Sequence, residues 1–165
     1  MNNFCIIINT TSKSKDVWPL FFGQLEKFLP EVDKKYVFVD ETDYDFGDDY
    51  DVFFYDKQKK YSEQMIECFP KVEQKYCLYL QEDYVLYNKV DWDALNKCID
   101  FLEFNDNIDF IKLIRGAENI KPLSDDVSMG LYLNYILKSD MYYTTQPTIW
   151  RMNKLIKVFD ETPTS

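Results

Sequence analysis

The chain has 165 residues, 46% of them hydrophobic, which is enough for one domain with a real core and too few for two independent ones. Its 29 acidic and 19 basic residues leave a formal charge of -10, which opposes nonspecific attraction to phosphate backbones and anionic lipid. Nucleic acid is therefore a poor partner, and an anionic ligand needs a local cation, either Lys/Arg or a divalent metal. The absence of histidine removes Ser-His-Asp and Cys-His catalysis and any imidazole-ligated zinc or iron site.

Phe4 to Ile8 is a continuous apolar run with no basic segment before it. It reads as a strand buried on both faces, as in parallel sheets, and not as a signal peptide. After the polar loop NTTSKSKD, Asp16 is placed to cap a helix in which Trp18, Phe21, Phe22, Leu25, Phe28 and Leu29 recur at helical spacing until Pro30. Pro19 falls in its first turn, where a missing N–H costs little.

Tyr36 to Val39 is a second strand, followed by the acidic loop DETDYDFGDDYD. The loop fails the EF-hand template, because counting from Asp43 puts Gly47 at position 5 and Phe54 at position 12, leaving a solvated loop or an irregular ion site. Val52 to Tyr55 is a third strand. Ser62 is placed to cap a helix carrying Met65, Ile66 and Phe69, and Tyr76 to Leu80 is a fourth strand running into Gln81-Glu82-Asp83.

Asp91 to Phe104 reads as an amphipathic helix, and Phe110 to Ile114 as a strand turning at Arg115-Gly116. The segment 117–130 reads as a long polar loop of the kind that covers ligand sites. Leu131 to Leu137 and Met141 to Thr145 suggest a hairpin-like pair, and Trp150 to Phe159 a last helix. The early βαβ alternation predicts an α/β sandwich; the late Tyr-rich pair predicts a mixed sheet. The cysteines, Cys5, Cys68, Cys77 and Cys98, form no CxxC pair and read as buried thiols of a cytoplasmic protein. No stretch reaches transmembrane length, so a soluble chain is expected.

Parallel sheets bind ligands outside the carboxyl ends of their strands, and Glu82 and Asp83 stand at such an end. Two adjacent carboxylates there are either a solvated turn or a corner for an oxygen-loving cation, Mg²⁺ or Mn²⁺. Lys57, Lys59 and Lys60 are the densest basic run, placed either to meet phosphates or to form an exposed turn. Tyr55 or Tyr61 could stack on a base.

The stretch IINTTSKSKDVWPLFFGQLEKFLP, then Tyr61-Ser62, then Leu80-Gln81-Glu82-Asp83-Tyr84-Val85-Leu86, and finally Gln146-Pro147-Thr148-Ile149-Trp150-Arg151 occur in that order. Together they resemble a group of GT-A-fold glycosyltransferases from bacteria and large DNA viruses, with Leu-Glu-Asp-Phe-Phe-Leu-like and Gln-Pro-x-Leu-Trp-Arg-like motifs. The resemblance implies a GT-A-like three-layer sandwich with a mostly parallel, partly mixed sheet, forming one domain over residues 1–165. The family pattern continues past Ser165 into an acidic segment, so a domain shortened at its C-terminus is expected.

The resemblance further implies a metal-assisted, inverting transfer of a sugar from a nucleotide-sugar to a glycan or other hydroxyl acceptor. Asn9, Thr10 and Thr11, with Lys60, Tyr61 and Glu82, would border the nucleotide, and Asp83 would ligate Mn²⁺ or Mg²⁺. Gln81 stands where the family's DxD motif begins with Asp. Arg115, Gln146, Trp150 and Arg151 would face the acceptor, although a salt bridge for Arg115 and a packing role for Trp150 are equally open. Inversion requires a carboxylate base, for which Asp125, Asp126, Asp160 and Glu161 stand unranked. The rivals are a noncatalytic binding domain and a metal-dependent nucleotidyl or phosphoryl transferase.

Overall fold

The structure, a computed structural model, describes residues 3–113 and 145–160. In chain order the elements are β1 (Phe4–Asn9), α1 (Trp18–Phe28), β2 (Lys35–Val39), β3 (Tyr50–Phe54), α2 (Tyr61–Cys68), β4 (Tyr76–Gln81), α3 (Trp92–Phe104), β5 (Phe110–Lys112), β6 (Thr148–Arg151) and α4 (Met152–Asp160). The strands form one six-stranded sheet in the order β3-β2-β1-β4-β6-β5.

β1 pairs in parallel with β2 and β4, and β2 with β3, whereas β6 runs antiparallel to both β4 and β5. The expected mixed, mostly parallel sheet is therefore present. β1 is buried along its whole length, as its unbroken apolar run requires of a central strand. Alternate side chains feed two cores. Phe4, Ile6 and Ile8 join residues of α1 and α3 on one face, while Cys5 and Ile7 join residues of α2 and α4 on the other. Helices on both faces make the three-layer sandwich.

Several boundaries differ from the sequence reading. Trp150 and Arg151 lie in β6, and the last helix begins only at Met152. Asp16 caps nothing: the N-cap of α1 is Val17, with no side-chain cap. Ser62 lies inside α2, whose start is instead closed by Glu63 accepting the Lys60 N–H at 3.1 Å. Asp91 does cap α3, accepting from the Ala94 N–H at 3.0 Å. The β2–β3 loop is acidic but anchored: the Phe46 ring sits 4.8 Å from Phe22 and 5.3 Å from Trp18. Gly47 supplies the positive φ of 88° that turns the loop back toward β3.

The long-loop and hairpin readings over 114–144, with Arg115, Asp125 and Asp126, lie outside the described residues, as does Glu161. None of the described helices is long and apolar enough to cross a membrane.

Candidate functional site

From β1 the chain passes to β2 and β3 on one side, and β4 then enters on the other side, so the strand order reverses between β1 and β4. A crevice opens at such a switch point because the loops on either side diverge. Asn9 and Gln81 are directly paired at the carboxyl ends of those strands. They line a cleft of about 750 Å³, together with Thr10, Thr11, Ser12, Lys13, Asp40, Glu41, Tyr55, Lys57, Gln58, Tyr61, Gln64, Glu82 and Asp83.

The cleft wall is tied together from several elements. The Trp18 indole donates to Thr10 Oγ1 at 2.7 Å, fixing the start of α1 to the end of β1. The Tyr55 hydroxyl donates to the Thr10 carbonyl at 2.7 Å. Asp40 accepts from the Ser12 N–H at 2.6 Å and from its hydroxyl at 2.9 Å, clamping the β1 loop to the end of β2. Burial alone would raise the Asp40 pKa, but the Ser12 bonds outweigh it and hold the carboxyl below its ordinary value. Burial, reinforced by the Asp40 charge, pushes the Tyr55 phenol up to about 12, so it stays protonated and keeps donating. Asn9 Nδ2 donates to the Tyr61 hydroxyl at 3.2 Å beneath the cleft.

Four carboxylates face two ammonium groups here, and their commitments differ. Asp40 is held by Ser12, and Glu41 pairs with Lys57 at 2.9 Å. Glu82, half-buried, and Asp83, exposed, make no hydrogen bond or ion pair with the described residues. Also among the described residues, no three acidic or cysteine side chains gather into a metal cage. The donor set suits a hard cation held by one or two carboxylates and completed by ligand phosphates and water, which is how Mg²⁺ commonly binds. It does not suit zinc.

Of the residues expected to border the nucleotide or metal, Asn9, Thr10, Thr11, Tyr61, Glu82 and Asp83 come together, and Lys60 does not. Lys57, from the same basic run, takes that side of the cleft. Trp150 and Arg151 are carried away from it: Arg151 is paired with Tyr76 at the start of β4, the opposite end from Gln81. Trp150 is buried against Phe110. Gln146 precedes Thr148, the partner of Tyr79, and so lies toward the cleft end of β4. Asp160 follows Phe159, whose ring meets Tyr61 at 5.7 Å, so the end of α4 is brought beside the cleft.

Asp40, Glu41, Ser12, Lys13, Gln58 and Gln64 were not anticipated. The signal for Asp40 was present: it is the residue directly after β2, the strand next to β1.

No protein-family model matches the chain, and neither does any curated protein. Solved structures do. Bifunctional IspDF of Campylobacter jejuni aligns over 99% of this chain and 44% of its own, with TM-score 0.56 at 14% identity. The fold is GT-A-like. CMP:2-keto-3-deoxy-manno-octonic acid synthetase complexed with CTP aligns over 99% of this chain and 79% of its own, with TM-score 0.54 at 10% identity. S. aureus TarS 1-349 aligns over 96% and 49%, with TM-score 0.56 at 17% identity. The chain thus spans less than half of IspDF and about half of that TarS chain.

Proposed function

We propose that this GT-A-like domain is a nucleotide-dependent transferase that binds a nucleotide-sugar in the cleft between β1 and β4 and passes the sugar to a hydroxyl acceptor. One observation carries the reading. The uncommitted carboxylates Glu82 and Asp83 share a single cleft with the amide and hydroxyl groups that end β1, across the switch point of the sheet.

Asp83, with Glu82 as its neighbour, would hold Mn²⁺ or Mg²⁺. Such an ion offsets the charge of the departing diphosphate when bound. Lys13 and Lys57 offer the remaining positive charge, Lys57 by exchanging Glu41 for phosphate. Thr10 and Tyr55 form a rigid wall for the nucleoside because each is already hydrogen bonded to its neighbours. The acceptor would approach from the side of Gln146 and α4, and Asp160, the residue after the Tyr61-packed Phe159, is the candidate base on that side.

The decisive measurement is a panel of UDP-, GDP- and dTDP-sugars with and without Mn²⁺, read by thermal shift and by released nucleoside diphosphate. A ligand at about 100 times its Kd stabilises the native state by about 2.7 kcal/mol, a shift of several degrees for a domain of this size. Asp83→Asn is expected to abolish the metal-dependent part of the shift. If no nucleotide raises the melting temperature, the reading fails.

Nucleotidyl transfer is the second reading, favoured by structural neighbours whose names are a cytidylyltransferase and a CTP-bound synthetase. Against it, the β1–α1 connection TTSKSKDV contains no glycine, and among the described residues the cleft has two lysines to meet a triphosphate. Release of pyrophosphate in place of a nucleoside diphosphate would decide for it.

A further inference from the structure

The floor of the cleft contains a chain of hydrogen bonds whose direction is set at one end. Tyr79 donates its hydroxyl proton to the Met65 thioether at 3.3 Å, and a thioether sulfur can only accept. The Tyr79 oxygen, 2.8 Å from the Tyr61 oxygen, therefore takes the Tyr61 proton. With its own proton directed at Tyr79, the Tyr61 oxygen can only accept from Asn9, which places the Asn9 amide nitrogen on the Tyr61 side at 3.2 Å. The two ends of an amide are nearly the same shape, and such a network is what distinguishes them.

The carbonyl oxygen of Asn9 is thereby held facing away from Tyr61. Asn9 is 6% exposed, and its side-chain oxygen has no hydrogen-bond partner among the described residues. A buried carbonyl without a donor is rare in folded proteins and calls for a partner, whether water, an ion or a ligand. Asn9 stands at the carboxyl end of the central strand and lines the cleft.

Resting on the nucleotide reading above, we propose that Asn9 is a specificity-determining residue whose carbonyl oxygen accepts a hydrogen bond from an N–H or O–H of the bound nucleotide. Tyr61, Tyr79 and Met65 are positioning residues that fix which way its amide faces. A ligand with a donor at this point is accepted. One carrying a lone pair or a methyl group there meets an acceptor it cannot satisfy, and polar mismatches of this kind discriminate strongly. The donor is either the base, through the imide N–H of uracil or N1–H of guanine, or a ribose hydroxyl.

The test is calorimetric titration of the full chain, with Mn²⁺, using UDP and GDP. Each is compared with its base-N-methylated form and its 2′-deoxy and 3′-deoxy forms, on wild type, Asn9→Ala and Tyr61→Phe. In wild type the analogue lacking the donor is expected to bind about tenfold or more weakly than its parent, consistent with one hydrogen bond. Loss on methylation identifies the base, and loss on deoxygenation the ribose.

Asn9→Ala should weaken the parent nucleotide and bring the ratio of parent to analogue close to one. Tyr61→Phe keeps the ring and removes only the phenol that holds the amide, so it should narrow the same ratio even if Asn9→Ala fails to fold. A merely structural Tyr61 would weaken parent and analogue alike. Tight nucleotide binding with the same ratio in all three proteins overturns the assignment and leaves the transferase reading standing. No binding of either parent nucleotide to wild type overturns both.

Discussion

Arg151 is buried, yet every arm of its guanidinium has a partner. It donates to the carbonyls of Ile108 at 2.8 Å and Asn105 at 2.9 Å, to that of Leu102, and to the Tyr76 hydroxyl at 3.1 Å. These carbonyls lie at the end of α3 and in the turn before β5, so one side chain joins that turn to the sheet. Arg151→Met would strip the Ile108 carbonyl of its donor and leave those of Leu102 and Asn105 with their backbone donors alone, and a loss of about 2–4 kcal/mol is expected in urea unfolding, from several charge-assisted bonds at once. Arg151→Lys keeps the charge but not the fork, and should recover only part of it. At Asp40 the effect is one of pH. Its folded pKa is depressed, so its stabilisation is present above the ordinary carboxylate value and is lost as pH falls through the folded one. The stability difference between wild type and Asp40→Asn should therefore be present at pH 7 and shrink in acid, as read by denaturant midpoints across a pH series.

Among the elements, the parallel strands were legible because each is an apolar run ended by polar residues, and the site was legible because ligands gather where such runs stop. Trp150 and Arg151 were misread for a physical reason. Leu155, Ile156 and Phe159 fit a helical stripe that α4 alone accounts for, and a four-residue strand joined directly to the helix leaves no turn residue between them. Lys60 was chosen over Lys57 because sequence shows a basic run but not which of its members faces inward. The β2–β3 loop was read by its acids, yet its aromatic residues anchor it. Phe46→Ala is expected to cost about 2 kcal/mol, less than the about 3–5 kcal/mol of a fully buried Phe, since Phe46 is only partly buried. Faster proteolytic cleavage within 41–49 would show that the loop has come loose from Trp18 and Phe22.

For the whole molecule, the absence of histidine makes a further prediction. No histidine titrates near neutrality, and burial raises all four cysteine thiols above their ordinary range. Unfolding free energy should be nearly flat between about pH 6 and pH 8, with larger changes in the carboxylate range below it and, as the unfolded thiols and phenols ionise, a fall in the alkaline range above it. The charge of -10 predicts an unusual salt response. Without a divalent ion, nucleoside diphosphate binding should tighten as salt rises from about 20 to about 200 mM, because screening weakens the repulsion. With Mn²⁺ the dependence should flatten.

The direction of the strands also sorts the ends of the chain. Asn3 bonds through its carbonyl to Tyr76 at the start of β4, so the polypeptide enters at the pole of the sheet remote from the cleft. Because β6 runs against its neighbours, α4 travels back the other way and delivers Phe159, in its last turn, against Tyr61. An affinity tag placed before Asn3 is thus remote from the ligand, whereas a probe attached to the last turn of α4 sits on the Tyr61 side of the molecule, where it can serve as a reporter or act as an obstruction.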